Sequence, residues 1–148
     1  MILIDSNILV RYANFNDPLY SNVDQLINRL FAQGEQLCIV PQNIYEFWSV
    51  ASRPIANNGL GMSIVEAEVT KQRFTQFFKF FPDDPQLYRE WENLVVHYQC
   101  KGKVCHDARL IAAMLTHRIS TLLRFNIPDF ARFQNRITLM EVQQLPQP

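Results

Sequence analysis

Four short apolar runs separated by longer segments place the strongest limit on what this chain can fold into. The runs occupy residues 2–4, 37–40, 77–81 and 121–123. Each is followed by polar or proline-containing sequence, which favours buried strands of a parallel sheet over amphipathic helices. The alternation of these strands with helix-length segments predicts an α/β sandwich with a mainly parallel sheet.

Capping signals mark the helices between the runs. An Asp-Pro pair supplies an N-cap and a first helical residue, and Ser followed three residues later by Glu forms a capping box. Further helices are predicted near Pro41 and over residues 106–117. The signals are Asp17-Pro18 with a stop at Gly34, Ser63 with Glu66, and Asp84-Pro85. Side chains at helical spacing predicted to face the core are Val23, Leu26, Ile27, Leu30, Phe31, Val65, Val69, Phe74, Leu87, Trp91, Leu94 and Val95.

Length and composition set the class of protein. With 148 residues, 48% of them hydrophobic, the chain has enough material for one core, so a single domain over residues 1–148 is predicted. No apolar run approaches the roughly 20 residues that span a bilayer, so a cytoplasmic protein without a membrane partner is expected. The three cysteines lie at no zinc-like spacing and are expected to be reduced thiols.

The charges divide unevenly along the chain. Residues 1–96 carry 7 Lys/Arg and 11 Asp/Glu, a net charge of −4, whereas residues 97–148 carry 7 and 3, a net charge of +4. The C-terminal third is therefore the better candidate for contacts with phosphate, although each of these side chains can equally well solvate a helix surface. The weaker candidates for nucleic-acid contacts are Lys103, Arg109, Arg124 and Arg132.

Four acidic residues are predicted to meet at one edge of the sheet, because ligands gather at the carboxyl ends of parallel strands. Asp5 directly follows the first run, and Glu46 lies in the early turns of the helix that follows the second. Asp129 follows the fourth run, and Asp107 lies in the first turn of the helix over residues 106–117. Hard cations such as Mg²⁺ and Mn²⁺ take oxygen ligands of this kind.

Each acid also has a purely structural explanation. Asp5 can cap a helix beginning at Ser6, Asp107 can complement a helix dipole, and Asp129 can cap a short helix. Asp84 is assigned to capping, and Asp83 is interpreted as a solvated neighbour. The three histidines are too dispersed for a triad or a zinc site, and no phosphate-binding glycine loop or nucleophile elbow occurs.

Four segments, in order, resemble the motifs of one known family. They are ILIDSNILV at 2–10, NIYEF at 43–47, CHDARLIAAM at 105–114 and FNIPDFARF at 125–133, of which the third is the most specific. Together they resemble the PIN-domain ribonucleases over nearly the whole chain, and in particular the VapC-like toxins of type II toxin–antitoxin pairs. The resemblance implies a three-layer α/β/α sandwich whose mainly parallel central sheet has four to five strands.

The resemblance also implies a site and an activity. Asp5, Glu46 and Asp107 would be the core acids and Asp129 the fourth, together holding Mg²⁺ or Mn²⁺. Asn7 would order the loop around Asp5, and Asn126 would support Asp129. The implied protein is a metal-dependent endoribonuclease with an RNA substrate, a cognate antitoxin and a homodimeric state. Aromatic residues that can form a docking surface are Phe15, Tyr20, Phe47, Trp48 and Trp91, of which Phe47 and Trp91 are expected in the core.

One position departs from the family pattern and favours an alternative function. Arg124 stands where the family usually has a small hydroxyl residue, two places before Asn126. Its guanidinium can pair with Asp129 or Asp107 and weaken metal binding, or it can bind a substrate phosphate. The alternative function is therefore a catalytically weak PIN-like module that binds RNA or protein, and a further one is a nuclease or phosphatase acting on DNA.

Overall fold

Five parallel strands form one central sheet in the computed structural model, which describes residues 1–142. The strands are β1 (Ile2–Ile4), β2 (Leu37–Ile39), β3 (Lys79–Phe80), β4 (Thr121–Arg124) and β5 (Thr138–Glu141). The α-helices of the same residues are α1 (Ser6–Tyr12), α2 (Tyr20–Ala32), α3 (Pro41–Ala51), α4 (Ile64–Phe77), α5 (Leu87–His97) and α6 (Val104–Thr116). Two 3₁₀ helices cover Ile55–Asn57 and Pro128–Phe133.

The strand order, β3-β2-β1-β4-β5, places β1 at the centre of the sheet. The chain adds β2 and β3 on one side of β1 and then crosses to add β4 and β5 on the other, so the order reverses between β1 and β4. In open parallel sheets, ligands bind outside the carboxyl ends of the strands at such a reversal. Here Ile4 of β1 pairs with Leu123 of β4, and the residues that come next, Asp5 and Arg124, lie side by side at that edge.

Apolar clusters cover both faces of the sheet. Ile2 and Ile4 point into a cluster with α1, α2, α3 and α4, whereas Leu3 between them points into a second cluster with α5 and α6. All three side chains are at most 2% exposed. The predicted three-layer α/β/α sandwich with a parallel sheet is therefore confirmed. No helix among residues 1–142 is long and apolar enough to cross a membrane.

The third strand is less buried than predicted. The run at residues 77–81 contributes only the two residues of β3, and Phe80 is 39% exposed because β3 pairs with β2 alone at the edge of the sheet. Phe77 instead ends α4, and Phe78 is the buried member of the run. β5 had no sequence signal of its own, since its two ends are exposed and its polar residues hide the strand pattern.

Two helices begin later than the Asp-Pro signals predicted. The Asp17 carboxylate accepts a hydrogen bond from the Leu19 N–H at 2.8 Å, and α2 begins at Tyr20. The Asp84 carboxylate accepts one from the Gln86 N–H at 2.7 Å, and α5 begins at Leu87. Both acids form local turns that precede the helix, so the prediction that they are N-caps was wrong.

The inward face of α4 was also predicted wrongly in part. Ser63 and Glu66 do form the capping box, but Val65 and Val69 are 73% and 43% exposed. Ala67 and Phe74 supply the buried contacts of this helix. Among the other predicted inward positions, the partly buried ones are Leu26, Phe31, Trp91 and Val95.

A substitution in α3 tests how the core holds this layer in place. Phe47 is fully buried and packs edge-on against Phe74 at 5.0 Å between ring centroids. Phe47→Ala is expected to lower the free energy of unfolding by about 3–5 kcal/mol, because it leaves a cavity. Tyr45→Ala, on the exposed face of the same helix, is the matched control and should change it by less than about 0.5 kcal/mol. Chemical denaturation measures both, and equal losses would contradict the packing described.

Candidate active site

Asp5 joins the end of β1 to the start of α1. Its backbone is extended, with φ −67° and ψ 150°, and its carboxylate accepts a hydrogen bond from the Ser6 N–H at 2.7 Å. The residue is therefore the N-cap of α1, as its structural explanation predicted. It is also only 6% exposed at the edge of the sheet. Capping accounts for one carboxylate oxygen, and the second faces Arg124.

Ser6 connects Asp5 to Glu46. The Ser6 hydroxyl donates to Glu46 Oε2 at 2.5 Å and lies 3.3 Å from Asp5 Oδ1. Because a hydroxyl has one proton to donate, the shorter contact identifies Glu46 as its acceptor. The two carboxylates are thus held on either side of one small residue.

The start of α3 positions Glu46. Asn43 Oδ1 accepts a hydrogen bond from the Val40 N–H at 2.9 Å, which fixes the turn from β2 into α3. One turn before Glu46, the Gln42 side-chain amide donates to Glu46 Oε1 at 2.9 Å and to the His106 carbonyl at 3.0 Å. Gln42 is 7% exposed, so this link between α3 and α6 is shielded from water.

Asp107 lies in the first turn of α6, where the helix dipole favours an anion. Among the described residues, no side chain donates a hydrogen bond to its carboxylate. Burial is the largest cause raising its pKa, and the negative charges of Asp129 and Glu46 add to that effect. Arg124 and Lys103 oppose the rise. The charge of Asp107 therefore interacts with the charges of Asp129 and Glu46.

Asp129 is the most exposed of the four acids, with 45% of its side chain accessible. It lies in the 3₁₀ helix Pro128–Phe133 but does not cap it, because the N-cap is Ile127 and no side chain serves there. Asn126 donates to Asp129 Oδ2 at 2.9 Å, in the position that the sequence resemblance implied. The Asn7 Oδ1 atom, in contrast, is buried with no hydrogen-bond partner among residues 1–142.

Arg124 lies among these carboxylates and is 7% exposed. One guanidinium nitrogen is 3.6 Å from Asp5 Oδ2 and another is 3.6 Å from Asp129 Oδ2. The guanidinium lies over the Phe130 ring at 4.0 Å from its centroid. The sequence had left pairing with Asp107 open, and the ion-pair contacts are instead with Asp5 and Asp129.

Burial raises the pKa of Asp5, with a further rise from the charge of Glu46 and an opposing effect of Arg124. Burial first, and neighbouring carboxylates second, raise the pKa values of Asp5 and Asp107, and a bound divalent cation would offset both effects. In its chemistry, the donor set therefore fits a hard cation that prefers oxygen ligands. However, within residues 1–142 no three His, Cys, Asp or Glu side chains are grouped closely enough to hold an ion as they stand. Closure around an ion would therefore require rotamer changes of these carboxylate side chains.

The basic residues predicted to contact nucleic acid differ in whether they already form ion pairs and hydrogen bonds. Arg109 forms an ion pair with Asp83 at 2.8 Å and donates to Gln42 Oε1 at 3.2 Å, so the interpretation of Asp83 as a merely solvated neighbour was wrong. Lys103 is exposed at the start of α6 and attracts Asp107. Arg132 is exposed, and its positive charge opposes the rise that burial causes in the pKa of the Cys100 thiol.

Sequence reasoning missed Ser6 and Gln42, the two residues that hold Glu46. Both had a detectable signal, although neither pattern is specific. Ser6 is adjacent to Asp5, and Gln42 precedes Glu46 by four residues, the spacing at which side chains meet on a helix. Their hydrogen-bond partners depend on how α3 and α6 pack against β1, which the sequence does not specify locally.

Several solved structures share this fold. VapBC2 from Rickettsia felis, bound to a promoter DNA fragment, aligns with a TM-score of 0.70 at 17% identity, covering 95% of this chain and 98% of that one. VapC20 of Mycobacterium tuberculosis, a toxin that cleaves the sarcin-ricin loop, aligns with a TM-score of 0.63 at 18% identity over 88% and 94% of the two chains. VapBC-1 of nontypeable Haemophilus influenzae aligns with a TM-score of 0.69 at 14% identity over 96% and 98%.

At these identities the structural likeness establishes a common fold. A search of curated proteins finds no significant sequence relative. The PIN domain family, in contrast, matches residues 2–134 of the sequence, which include the acids at the edge of the sheet. Because the match spans most of the chain, the protein belongs to the PIN domain family.

Proposed function

We propose that this protein is a metal-dependent endoribonuclease and the toxin component of a toxin–antitoxin pair, acting on RNA in the cytoplasm. The observation that carries the proposal is the linkage of acids at the reversal point of a PIN fold. Ser6 joins Asp5 to Glu46, and Arg124 contacts both Asp5 and Asp129. The four acids come from four separate segments, and electrostatic effects couple them to one another. Neighbouring carboxylates repel one another and destabilise the fold when no cation is bound. Acids with pKa values perturbed in this way are typical of functional sites.

The four carboxylates would hold Mg²⁺ or Mn²⁺. When bound, such an ion lowers the pKa of a water molecule and neutralises charge that develops on a phosphoryl group. Ser6 and Gln42 keep the Glu46 carboxylate oriented, because each donates to a different one of its oxygens. Lys103 and Arg132 supply exposed positive charge near the cluster for the RNA backbone.

Cleavage of total cellular RNA by the purified protein tests the proposal. Discrete fragments are expected with Mg²⁺ or Mn²⁺ and none with a chelator. Asp107→Asn removes one charged ligand and should reduce the rate by about 100-fold or more. Glu92→Gln, a loss of the same charge at an exposed position of α5, is the matched control and should cleave at the rate of the unmodified protein.

Two outcomes would favour the competing functions. Binding of RNA without cleavage under any metal condition would favour the catalytically weak module, for which the buried Arg124 is the specific structural argument. Equal digestion of single-stranded DNA in parallel reactions would favour a nuclease without the proposed preference for RNA.

The pH dependence of stability tests the burial and charge crowding of these acids without any metal. Asp5 and Asp107 have raised pKa values in the folded protein, so the folded state binds their protons more tightly than the unfolded state, where an Asp has a pKa of about 3.9. Their protonation therefore stabilises the fold, and that contribution is lost as the pH rises from about 4 through the folded pKa values. In chelator, Asp107→Asn should become more stable relative to the unmodified protein as the pH rises towards 7.

Denaturant unfolding at a series of pH values measures this difference. The comparison with Asp107→Asn removes the contributions of acids elsewhere, which the two proteins share. Parallel pH profiles would show that the pKa of Asp107 is not raised by folding, and the argument from burial and charge crowding would then fail.

A groove of about 780 Å³ beside α1, α2 and α4 is the proposed docking site of the antitoxin. Phe15 and Tyr20, both predicted as docking residues, line it together with Val65, Val69 and Phe77. Phe15 is 74% exposed and Val65 is 73% exposed, so this groove presents large apolar side chains to solvent, as protein-binding surfaces do. The VapBC structures that share the fold are of toxin–antitoxin pairs, which supports a protein partner. The family resemblance implies that this partner binds through a helical or extended segment.

The other predicted docking aromatics do not face this groove. Phe47 is buried, as expected, while Trp48 and Trp91 are packed against the two apolar clusters. Trp91 also donates its ring N–H to the Cys105 carbonyl at 2.8 Å. The groove is formed by the end of α1, the segment that leads from it into α2, and one side of α4 along residues 65–77.

The double substitution Phe15→Ser with Val65→Ser tests the groove. It should weaken the complex with the protein encoded by the adjacent gene by about tenfold or more, because buried aromatic contacts dominate such interfaces. The melting temperature of the isolated chain should stay unchanged, since both side chains are exposed. Val96→Ser, at an equally exposed apolar position of α5, is the control.

A second copy of the chain is the other protein that could occupy the groove. Light scattering of the isolated variants measures this self-association. Loss of self-association, with the partner complex intact, would assign the groove to the homodimer implied by the family resemblance and overturn its assignment to the antitoxin.

A further inference from the structure

We propose that Arg124 is a built-in counter-cation of the acidic cluster, which neutralises the cluster when no divalent ion is bound and competes with that ion for Asp5 and Asp129. The inference rests on the proposed function, since it assigns a regulatory property to the same site. It gives a role to Arg124, which stands where the family usually has a small hydroxyl residue.

The backbone of β4 determines where Arg124 lies. Arg124 is the last residue of the strand, and its neighbours in the sheet are β1 on one side and β5 on the other. The Asp5 N–H donates to the Leu123 carbonyl at 3.0 Å, and the Val142 N–H donates to the Arg124 carbonyl at 3.0 Å. The arginine is therefore anchored directly beside Asp5 and has little freedom to leave the cluster by a backbone movement.

The side chain is held by charge and stacking. Its contacts with Asp5 and Asp129 are both 3.6 Å, which is too long for a hydrogen bond between nitrogen and oxygen. The guanidinium stacks over the Phe130 ring, which is 2% exposed, with Cζ 4.0 Å from the ring centroid. The Nε atom is buried and has no hydrogen-bond partner among residues 1–142.

This geometry makes the guanidinium displaceable. A charged group fixed by bidentate hydrogen bonds would be difficult to move, whereas one held by two long charge contacts can turn away when a stronger cation arrives. The unpaired Nε shows in addition that the site does not satisfy the donors of this side chain. Asp5 and Asp129 are thus shared between the guanidinium and any ion that the cluster holds.

The charge balance sets the direction of the effect. The four carboxylates carry four negative charges, of which the guanidinium neutralises one, so the cluster retains attraction for a divalent ion. An ion held by Asp5 would lie within a few ångströms of a buried positive charge and would be repelled by it. Removing that charge should strengthen ion binding and, at the same time, leave the acids of the ion-free protein uncompensated.

Arg124→Met tests the inference, because methionine keeps a linear apolar side chain and removes the charge. Titration with Mn²⁺ alone, followed by electron paramagnetic resonance, should give a Kd lower than that of the unmodified protein by about tenfold or more. In chelator, the melting temperature of Arg124→Met should be lower by about 5–10 °C. Saturating Mn²⁺ should raise it more than it raises the melting temperature of the unmodified protein.

Two further variants separate charge from packing. Arg124→Lys retains the positive charge and should keep a Kd within about threefold of the unmodified protein. It also remains informative if Arg124→Met does not fold. Arg11→Met is the control, because Arg11 also forms an ion pair, with Asp17 at 3.1 Å, and also lies over an aromatic ring, Phe125 at 4.9 Å. Its ion-pair partner is not one of the four acids of the cluster. Its Kd for Mn²⁺ should be unchanged.

The outcomes distinguish failure of this inference from failure of the proposed function. An unchanged or weaker Mn²⁺ affinity in Arg124→Met, with Asp107→Asn impaired, overturns the counter-cation role and leaves the metal-dependent nuclease standing. Absence of Mn²⁺ binding in every protein overturns both. Unchanged Mn²⁺ affinity together with loss of RNA binding in chelator would instead assign Arg124 to substrate phosphate.

Discussion

The pairing of β1 with β4 is the constraint on which the rest of the site depends. It brings two segments that are more than a hundred residues apart into register, with Ile4 beside Leu123. The residues that follow, Asp5 and Arg124, are then forced together at the carboxyl edge of the sheet. Because strand order also reverses at this point, no further strand connection covers the crevice, and α3 and α6 contribute Glu46 and Asp107 to its walls.

Electrostatics at this edge work against the stability of the fold. Asp5 is almost fully buried, and its charged form loses the hydration that it has in the unfolded chain. A nearby guanidinium recovers part of that loss, but a buried ion pair is itself weak support for stability because both partners are desolvated. The arrangement is therefore explained better by what it can bind than by what it contributes to folding. Ser6 and Gln42 add neutral hydrogen bonds that orient Glu46 without changing the charge of the cluster.

The central layer was predictable from local signals, and the edges were not. The runs that became β1, β2 and β4 are buried on both faces, so their hydrophobicity is continuous and visible in the sequence. Strands β3 and β5 have one neighbour each and keep exposed residues, which removes that signal. The errors at α2 and α5 have one cause: Asp before Pro serves a turn as readily as a helix start. The exposure of Val65 and Val69 arises because α4 packs through Ala67 and Phe74, leaving an apolar groove at its side.

The sequence by itself determined the alternation of strands and helices, the family and the four candidate acids, because these depend on residue type and on spacing along the chain. Only the tertiary structure decided how those acids are held: that Ser6 bridges Asp5 and Glu46, that Gln42 connects α3 to α6, and that Arg124 pairs with Asp5 and Asp129. The physical reason is that charge interactions and hydrogen bonds act over a few ångströms. The residues that interact are therefore set by the register of β1 with β4 and by the packing of α3 and α6 on the sheet. Neither can be deduced from a local stretch of sequence.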